Sequence, residues 1–522
     1  MESPIRYSLP EDLSFSDLLD QTARTFRLRK LPSQNLRLNC LDTFDWRLFC
    51  GNAVLYQSPS SFILRRVDPE KTLLEWPLPS SGTPRFARDF EDARIRTILE
   101  KYTGPRALIP YLSLRSRIDG YAVLNADEKT VLQIFLETIR HARDGEPHRS
   151  FRALRLQPVR GYHRDLARFR DFLASLNLVE DSTPLIVQIA GAQGIRIGEN
   201  CHKFYNTVAP EMTGRQAALI ILSGLFEIVQ SNEKGVIEDI DTEFLHYFRI
   251  AIRKSRSFLS QMKDIFPPEI TEKLRGDLSH LGRLSNLQRD LDVYLLKEKI
   301  YCDILPPALW SGLDPLFRQL RRERGKAHRR LVKALRSASC RHMLRNWKNF
   351  LDPTQADEYE ETPNSGKPIL SLAQRNIAKS YRQIKNTGRR IDERASDAQF
   401  HRLRIECKIL RYLLEFFQAL FPAGDIQHLI GDLKRVQDNL GEYNDLAVQQ
   451  NYLSAFLRAM PAEKEETIAL AAAIGGLVCH LHDRQNSVRE NFAREFRKFM
   501  SPENTALFRH LFEKNRRKES SN

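Results

Sequence analysis

The stretch Phe400-His401-Arg402-Leu403-Arg404-Ile405-Glu406-Cys407-Lys408-Ile409-Leu410-Arg411-Tyr412 sets His401, Arg404, Lys408 and Arg411 at successive spacings of three, four and three. On a helix turning about 100° per residue, four such positions fall within an arc of about 80°, so the segment predicts one cationic face. Leu403, Leu410, Leu414 and Phe417 take the other side and predict its packing face. The same pattern stands upstream as His246, Arg249, Arg253 and Arg256, each 155 residues earlier (401 − 246, 404 − 249, 408 − 253, 411 − 256). The register continues through Phe266/Phe421, Pro267/Pro422, Leu278/Leu433, Asp290/Asp445 and Val293/Val448. A chance motif would not keep step so long, and the segment from Gln216 onward therefore reads as an all-α, internally duplicated module.

Three more segments carry related stripes. Arg318, Arg322, Lys326, Arg329, Lys333 and Arg336 follow spacings of three and four, and twelve Lys/Arg from Arg318 to Lys348 face Glu323 as the sole acid of that stretch. Such a run repels itself unless an anionic partner or flanking acids offset it. Arg375, Lys379, Arg382 and Arg389 precede the second histidine helix, and His480, Arg484, Arg494 and Lys498 mark the last long one. Arginine suits phosphate because its planar fork donates paired hydrogen bonds, while lysine adds a mobile point charge.

Outward from this module, residues 1–205 carry short β-branched and aromatic runs broken by turn signals at Pro59-Ser60-Ser61, Pro79-Ser80-Ser81-Gly82 and Asp144-Gly145-Glu146-Pro147, which predict an α+β domain. The glycines and proline of Gly191–Pro210 predict a linker, and the Pro- and acid-rich residues 352–368 predict the loop between the two helical halves. Gly191, Gly194 and Gly198 match neither the dinucleotide nor the Walker spacing, so they read as linker glycines.

The chain has 522 residues, enough for two or three folding units, with 42% hydrophobic and 28% charged residues, an ordinary soluble balance. Its net charge of +15 favours polyanionic partners: nucleic acid, anionic membrane or polyphosphate. The apolar runs Ala217–Val229 and Ile468–Cys479 fall short of the roughly 20 residues that span a bilayer, and the opening Met1-Glu2-Ser3-Pro4 lacks a secretory pattern. Seven cysteines without a CxxC pair predict reduced thiols in a cytoplasmic protein.

At the two histidine helices the sequence resembles the CHAD family, the conserved histidine α-helical domain, whose repeats each begin with His-x-x-Arg-x-x-x-Arg/Lys-x-x-Arg. Leu440-Gly441-Glu442-Tyr443-Asn444-Asp445 matches as well, and so does Arg289-Asp290-Leu291-Asp292-Val293, whereas Ser285-Asn286 replaces an expected Leu-Gly. The resemblance implies two pseudo-symmetric four-helix bundles, a basic surface for inorganic polyphosphate, and association with polyphosphate granules. The domain boundaries expected are 1–205, then 206–505 with halves at 206–351 and 369–505, then a basic tail at 506–522. The polyphosphate-binding set expected is His246, Arg249, Arg253, Arg256, Arg322, Lys326, Arg329, Lys333, Arg375, Lys379, Arg382, His401, Arg404, Lys408 and Arg411.

For His246 and His401, two readings stand: a structural histidine bonded to a neighbouring helix, or an imidazole that meets phosphate. A metal site is disfavoured because the cations that follow each histidine repel a divalent ion, and no cofactor is expected. Asp290, Asp292 and Asp445 read as carboxylates that orient arginines or cap helices.

In the first domain, Leu41-Asp42-Thr43-Phe44-Asp45-Trp46-Arg47-Leu48 followed by Ile63-Leu64-Arg65-Arg66 resembles the CYTH or triphosphate-tunnel family. That family's opening Glu-x-Glu-x-Lys is replaced by Ile5-Arg6-Tyr7-Ser8-Leu9, and Phe151–Leu156 carries arginines where metal-binding glutamates belong. Triphosphate hydrolysis needs carboxylates to hold a divalent cation, so the expectation is a degenerate tunnel domain without activity. The competing functions are an RNA- or DNA-binding protein using the same basic surface, and an active triphosphatase in the first domain.

Overall fold

The computed structural model describes residues 4–10, 13–68, 71–78, 83–141, 150–181, 183–198, 208–352, 354, 359–392, 395–460 and 465–513. The turn signals at 79–82 and 144–147, much of the Gly191–Pro210 linker, Cys201 and the tail beyond 513 lie outside the described residues. The chain divides into two compact units, Met1–His202 and Lys203–Asn522.

The first unit holds strands β1 (Ile5–Ser8), β2 (Arg27–Lys30), β3 (Gln34–Asp42), β4 (Ala53–Gln57), β5 (Ser61–Arg66), β6 (Lys71–Pro77), β7 (Ile109–Leu124), β8 (Thr130–His141) and β9 (Ser150–Pro158). They form one antiparallel sheet in the order β1-β9-β8-β7-β3-β4-β5-β6, with β2 paired to β7, an arrangement consistent with a CYTH-like fold. Helices α1 (Phe15–Thr25), α2 (Arg47–Cys50), α3 (Ala93–Thr103), α4 (His163–Ser175) and α5 (Leu185–Ala192) complete it. Alternation along the strands separates two faces. One buries Val123, Leu132, Ile134 and Leu154 beneath α1 and α4, and the other buries Leu38, Cys40, Leu114 and Ile139 against Ile186 and Ile189 of α5.

The quoted Leu41–Leu48 segment is a local cap. Asp42 accepts the backbone amides of Thr43, Leu48 and Phe49 at 2.6, 3.0 and 2.9 Å, which fixes the start of α2. Asp45 pairs with Arg47 at 2.8 Å and with the fully buried Arg106 at 3.4 Å. These two guanidinium groups hold the Asp45 carboxyl below the usual range although burial pulls it the other way.

The second unit is helical: α6 (Gly214–Ile237), α7 (Thr242–Gln261), α8 (Pro268–Leu284), α9 (Asn286–Leu296), α10 (Glu298–Ile304), α11 (Asp314–Leu335) and α12 (Ala338–Phe350), then α13 (Ile369–Gly388), α14 (Asp397–Phe416), α15 (Ala423–Arg458), α16 (Glu465–Phe499) and α17 (Pro502–Phe512). The duplication sets the element starts: 214, 242 and 268, each plus 155, give 369, 397 and 423, where α13, α14 and α15 begin. The copies differ along the next element: the long α15 is continuous, whereas its counterpart at 268–303 breaks at Ser285 and again at Lys297 into α8, α9 and α10, the first break falling where Leu-Gly of the second copy becomes Ser-Asn.

The two copies meet where α7 faces α14. Phe258 lies edge-on to Phe416 at 5.3 Å, and Lys254 pairs with Glu415 at 2.8 Å. Beyond them Tyr294 of α9 stacks on Tyr452 of α15 at 4.3 Å.

The segment expected as a loop at 352–368 is anchored in its described part. Asn364 N bonds Asp264 O at 2.8 Å, Gly214 N bonds Lys367 O at 2.8 Å, and Arg215 reaches the carbonyls of Tyr359 and Glu360. Of the tail expected from 506, the described residues belong to α17, which seats Phe508 flat on Tyr381 at 3.8 Å and buries Leu511 and Phe512. Apolar burial outweighs the basic composition that suggested a tail there. The six described cysteines form no disulfide with one another, and no described helix is long and apolar enough to cross a membrane.

Candidate cationic cleft

Helix α14 holds the second stripe in place through its apolar side: Leu403, Leu410 and Leu414 are each fully buried and Phe400 stacks on Tyr443. The stripe then faces an open cleft of about 810 Å³. Its walls carry the cations Lys297, Arg404, Lys408, Arg411 and Arg484 with His480, against the carboxylates Asp438, Glu442 and Asp445. Four helices contribute: α10 and its N-terminal flank, α14, α15 and α16.

Lys408 sits at the centre of this charge. Burial, with Arg404, Arg253 and Arg411 as like-charged neighbours, lowers its pKa to about 8, only partly offset by Asp445. Arg253 belongs to α7, so the stripes of the two copies act on one another at this point. Arg404 pairs with Asp445 at 3.3 Å, but its Nε is buried and has no hydrogen-bond partner among the described residues. A buried donor left unmatched loses its hydration without return. Arg411 lies 3.5 Å from Glu415, and Arg484 bonds Glu442 at 2.7 Å. Burial also lowers Lys297, while Asp445 and Glu442 pull it back.

The first copy is arranged differently. Arg249 Nη1 donates to Gly282 O at 3.1 Å, Ser285 Oγ at 2.8 Å and Asn286 Oδ1 at 2.8 Å. The Ser-Asn pair thus stands at the helix break and supplies two of the three acceptors that occupy this arginine. Burial lowers the Arg249 pKa while Asp290 raises it, and Arg289 behaves alike beside Glu243 and Asp292. Arg253 and Arg256 are exposed further along α7. His246 is half-buried with its ring edge-on to Tyr247, and the exposed His401 bonds Asn444 through Nδ1 at 2.8 Å.

The remaining expected residues stand apart from the cleft, whose lining includes no residue of α11 or α13. On α11, Lys326 pairs with Glu323 at 2.9 Å and Arg322 lies 3.9 Å from it, while Arg329 and Lys333 are exposed. The sequence count of one acid against twelve cations also misses what tertiary packing brings. Arg324 pairs with Asp239 and with the buried Asp292, Arg321 with Glu298, and Arg318 with Glu466 at 3.3 Å. The α11 run is thus partly neutralised by acids from other helices, which corrects the expectation of an unbalanced stripe. On α13, Arg375, Lys379 and Arg382 are exposed, and Arg382 Nε bonds Ala378 O at 3.2 Å. Lys297, Asp438 and Glu442 were not expected. The duplication could not have found Lys297, because its counterpart at 452 is a tyrosine.

Residues 220–454 match the family model described as the CHAD domain. Two uncharacterized proteins of Mycobacterium tuberculosis, from strains CDC 1551 / Oshkosh and ATCC 25618 / H37Rv, are each 24% identical over 213 residues, 40% of this chain and 39% of theirs. The chain thus spans about two fifths of the length of these curated relatives. Among solved structures, the CHAD domain from the plant Ricinus communis aligns with a TM-score of 0.46 at 24% identity, over 55% of this chain and 93% of that one. PptA from Streptomyces chartreusis aligns with a TM-score of 0.43 at 15% identity, over 55% of this chain and all of that one (100%). Through residues 220–454, the helical unit of this chain carries a CHAD domain.

Proposed function

We propose that the cleft between the helical repeats binds linear inorganic polyphosphate and performs no chemistry on it. The observation that carries this reading is Lys408, half-buried among Arg404, Arg411 and Arg253, with an unmatched Arg404 donor beside it. Holding these charges together is unfavourable, and a polymer of phosphoryl groups offsets the repulsion while supplying acceptors for the arginine forks. The family resemblance points to the same ligand. The remaining stripe residues of α7, α11 and α13 extend the path of a long chain through looser, solvent-screened contacts. In this reading the protein acts in the cytoplasm, at polyphosphate granules.

The first unit is read as inactive. Glu137, the buried carboxylate of β8, is held by Arg155 at 2.6 Å and Arg6 at 3.8 Å. A carboxylate committed to two arginines is a poor ligand for a divalent cation. Among the described residues no group of three or more His, Cys, Asp or Glu side chains could hold a metal ion.

Competition separates the main alternative. With fluorescent polyphosphate bound to the full chain, unlabelled polyphosphate is expected to displace it at lower phosphate concentration than single-stranded RNA of equal charge. RNA winning that contest would replace this reading by nucleic-acid binding.

A pH dependence follows from Lys408. Its free-state pKa of about 8 rises when phosphate adds negative charge, so binding takes up a proton at alkaline pH. Affinity should fall by up to about tenfold per pH unit above 8. The apo protein changes oppositely: a lysine depressed below its unfolded value contributes stability as pH rises from about 8 toward the unfolded value near 10.4. Calorimetry in buffers of different ionisation enthalpy reads the proton uptake, and Lys408→Arg should abolish it.

A further inference from the structure

The first unit carries a charged feature that the cleft does not use. In the sheet register Arg37 of β3 stands directly opposite Arg115 of β7, and Arg115 directly opposite Arg140 of β8. Residues directly opposite across antiparallel strands share a face, and neighbouring strands lie about 4.8 Å apart. Three arginines thus form one row across three adjacent strands. All three are exposed, and among the described residues none supplies any of them with a hydrogen bond or ion pair. The flanking rows are polar: Asn39 opposite Ser113 on one side, then Asn35, Arg117, Thr138 and Arg152 on the other. Acid on this strip is already taken, since Asp119 pairs with Arg117 at 3.1 Å and accepts from Ser33.

Like charges facing each other across strands destabilise a sheet, and arginine at the centre of such a row is a poor structural choice. Threonine, with its branched side chain and no charge, would serve the fold better. The same face turns apolar toward Leu136 and Ile134, where α1 and α4 cover it, so the arginine row is the part that packing leaves open.

We infer that this arginine row is a second polyphosphate-binding surface, separate from the cleft. The three rows contain no aromatic side chain, and single-stranded nucleic acid depends on such platforms for stacking. A bare chain of phosphates needs only the forks. The choice of polyphosphate rests on the reading of the cleft; the presence of an anion surface here does not.

The test uses the full chain and long-chain polyphosphate. The triple variant Arg37→Thr/Arg115→Thr/Arg140→Thr is made alone and in the Arg404→Ala/Arg411→Ala background, and Arg115→Thr is followed by thermal melting. The cleft variant should retain a weak, salt-sensitive class of sites, and adding the triple substitution should remove it. On its own the triple variant should lose the weak class while the tighter class that depends on the cleft keeps its affinity. Arg115→Thr should melt at the same temperature as wild type or higher, which excludes unfolding as the cause. Superimposable isotherms with and without the row, or no residual binding in the cleft variant, would overturn the proposal. Loss of RNA binding with polyphosphate binding intact would overturn it as well. If the cleft variant binds like wild type while the row variant does not, the reading of the cleft fails and the row stands.

Discussion

Replacing Arg404 and Arg411 together by alanine is expected to weaken polyphosphate binding at low salt by at least about a hundredfold without unfolding the protein. Each charge-assisted hydrogen bond to phosphate contributes roughly 1.5–3 kcal/mol, and two of them correspond to about two to four decades in affinity. The side chains are 19% and 28% exposed, so solvent screening favours the lower end. The fold should tolerate the change because each carboxylate partner keeps an alternative. Asp445 is already 58% exposed, and Glu415 retains Lys254 at 2.8 Å. Fluorescence titration with circular dichroism as control checks both halves of the expectation. Arg249 would be a misleading probe: it ties the α8/α9 break to α7 through Gly282 O, Ser285 Oγ and Asn286 Oδ1, so its loss mixes stability with binding.

The largest effect on stability is expected at Arg324→Met. Arg324 Nε lies 2.8 Å from Asp292, whose side chain is 1% exposed, and its other nitrogens hold Asp239 at the end of α6. Removing one partner of a buried pair leaves an uncompensated charge and costs about 3–5 kcal/mol. Urea unfolding of the full chain should show an early transition in the helical unit, with the sheet unit unaffected. The defect should be pH-dependent. Burial already pushes the Asp292 carboxyl up against the pull of Arg324. Without the arginine it rises further, so the variant recovers stability as pH falls through that raised value and loses it again as pH rises. The unfolded reference is near 3.9. A pH-independent defect would mean that lost packing, not the stranded carboxylate, is responsible.

How much of this was legible in the sequence depended on which interactions were local. The helical duplication was legible because the 155-residue register carries cationic and apolar spacing together, and Asp241 and Ser396, 155 apart (396 − 241), stand at the starts of α7 and α14. The departure at Ser285-Asn286 was also visible, but not its consequence. Nothing local says that a helix break 36 residues away will supply three acceptors to Arg249. The α11 stripe was overrated for a similar reason, since Asp239, Asp292, Glu298 and Glu466 come from distant segments. Spacing gives a helix its faces; only packing decides which face meets which neighbour. Lys297 shows the converse, a lone lysine in no repeat that the α9–α10 corner brings into the cleft. In the sheet unit the arginines were visible as residues, but their row across β3, β7 and β8 exists only once the register is known.

The measurement that bears most directly on the central claim is the salt dependence of polyphosphate binding, compared between the wild-type chain and the Arg404→Ala/Arg411→Ala variant. If cleft cations neutralise successive phosphates and release their counterions, the wild-type plot of log affinity against log salt should be steep, and the variant shallower by between one and two units. Parallel plots, with the variant merely offset or unchanged, would contradict it.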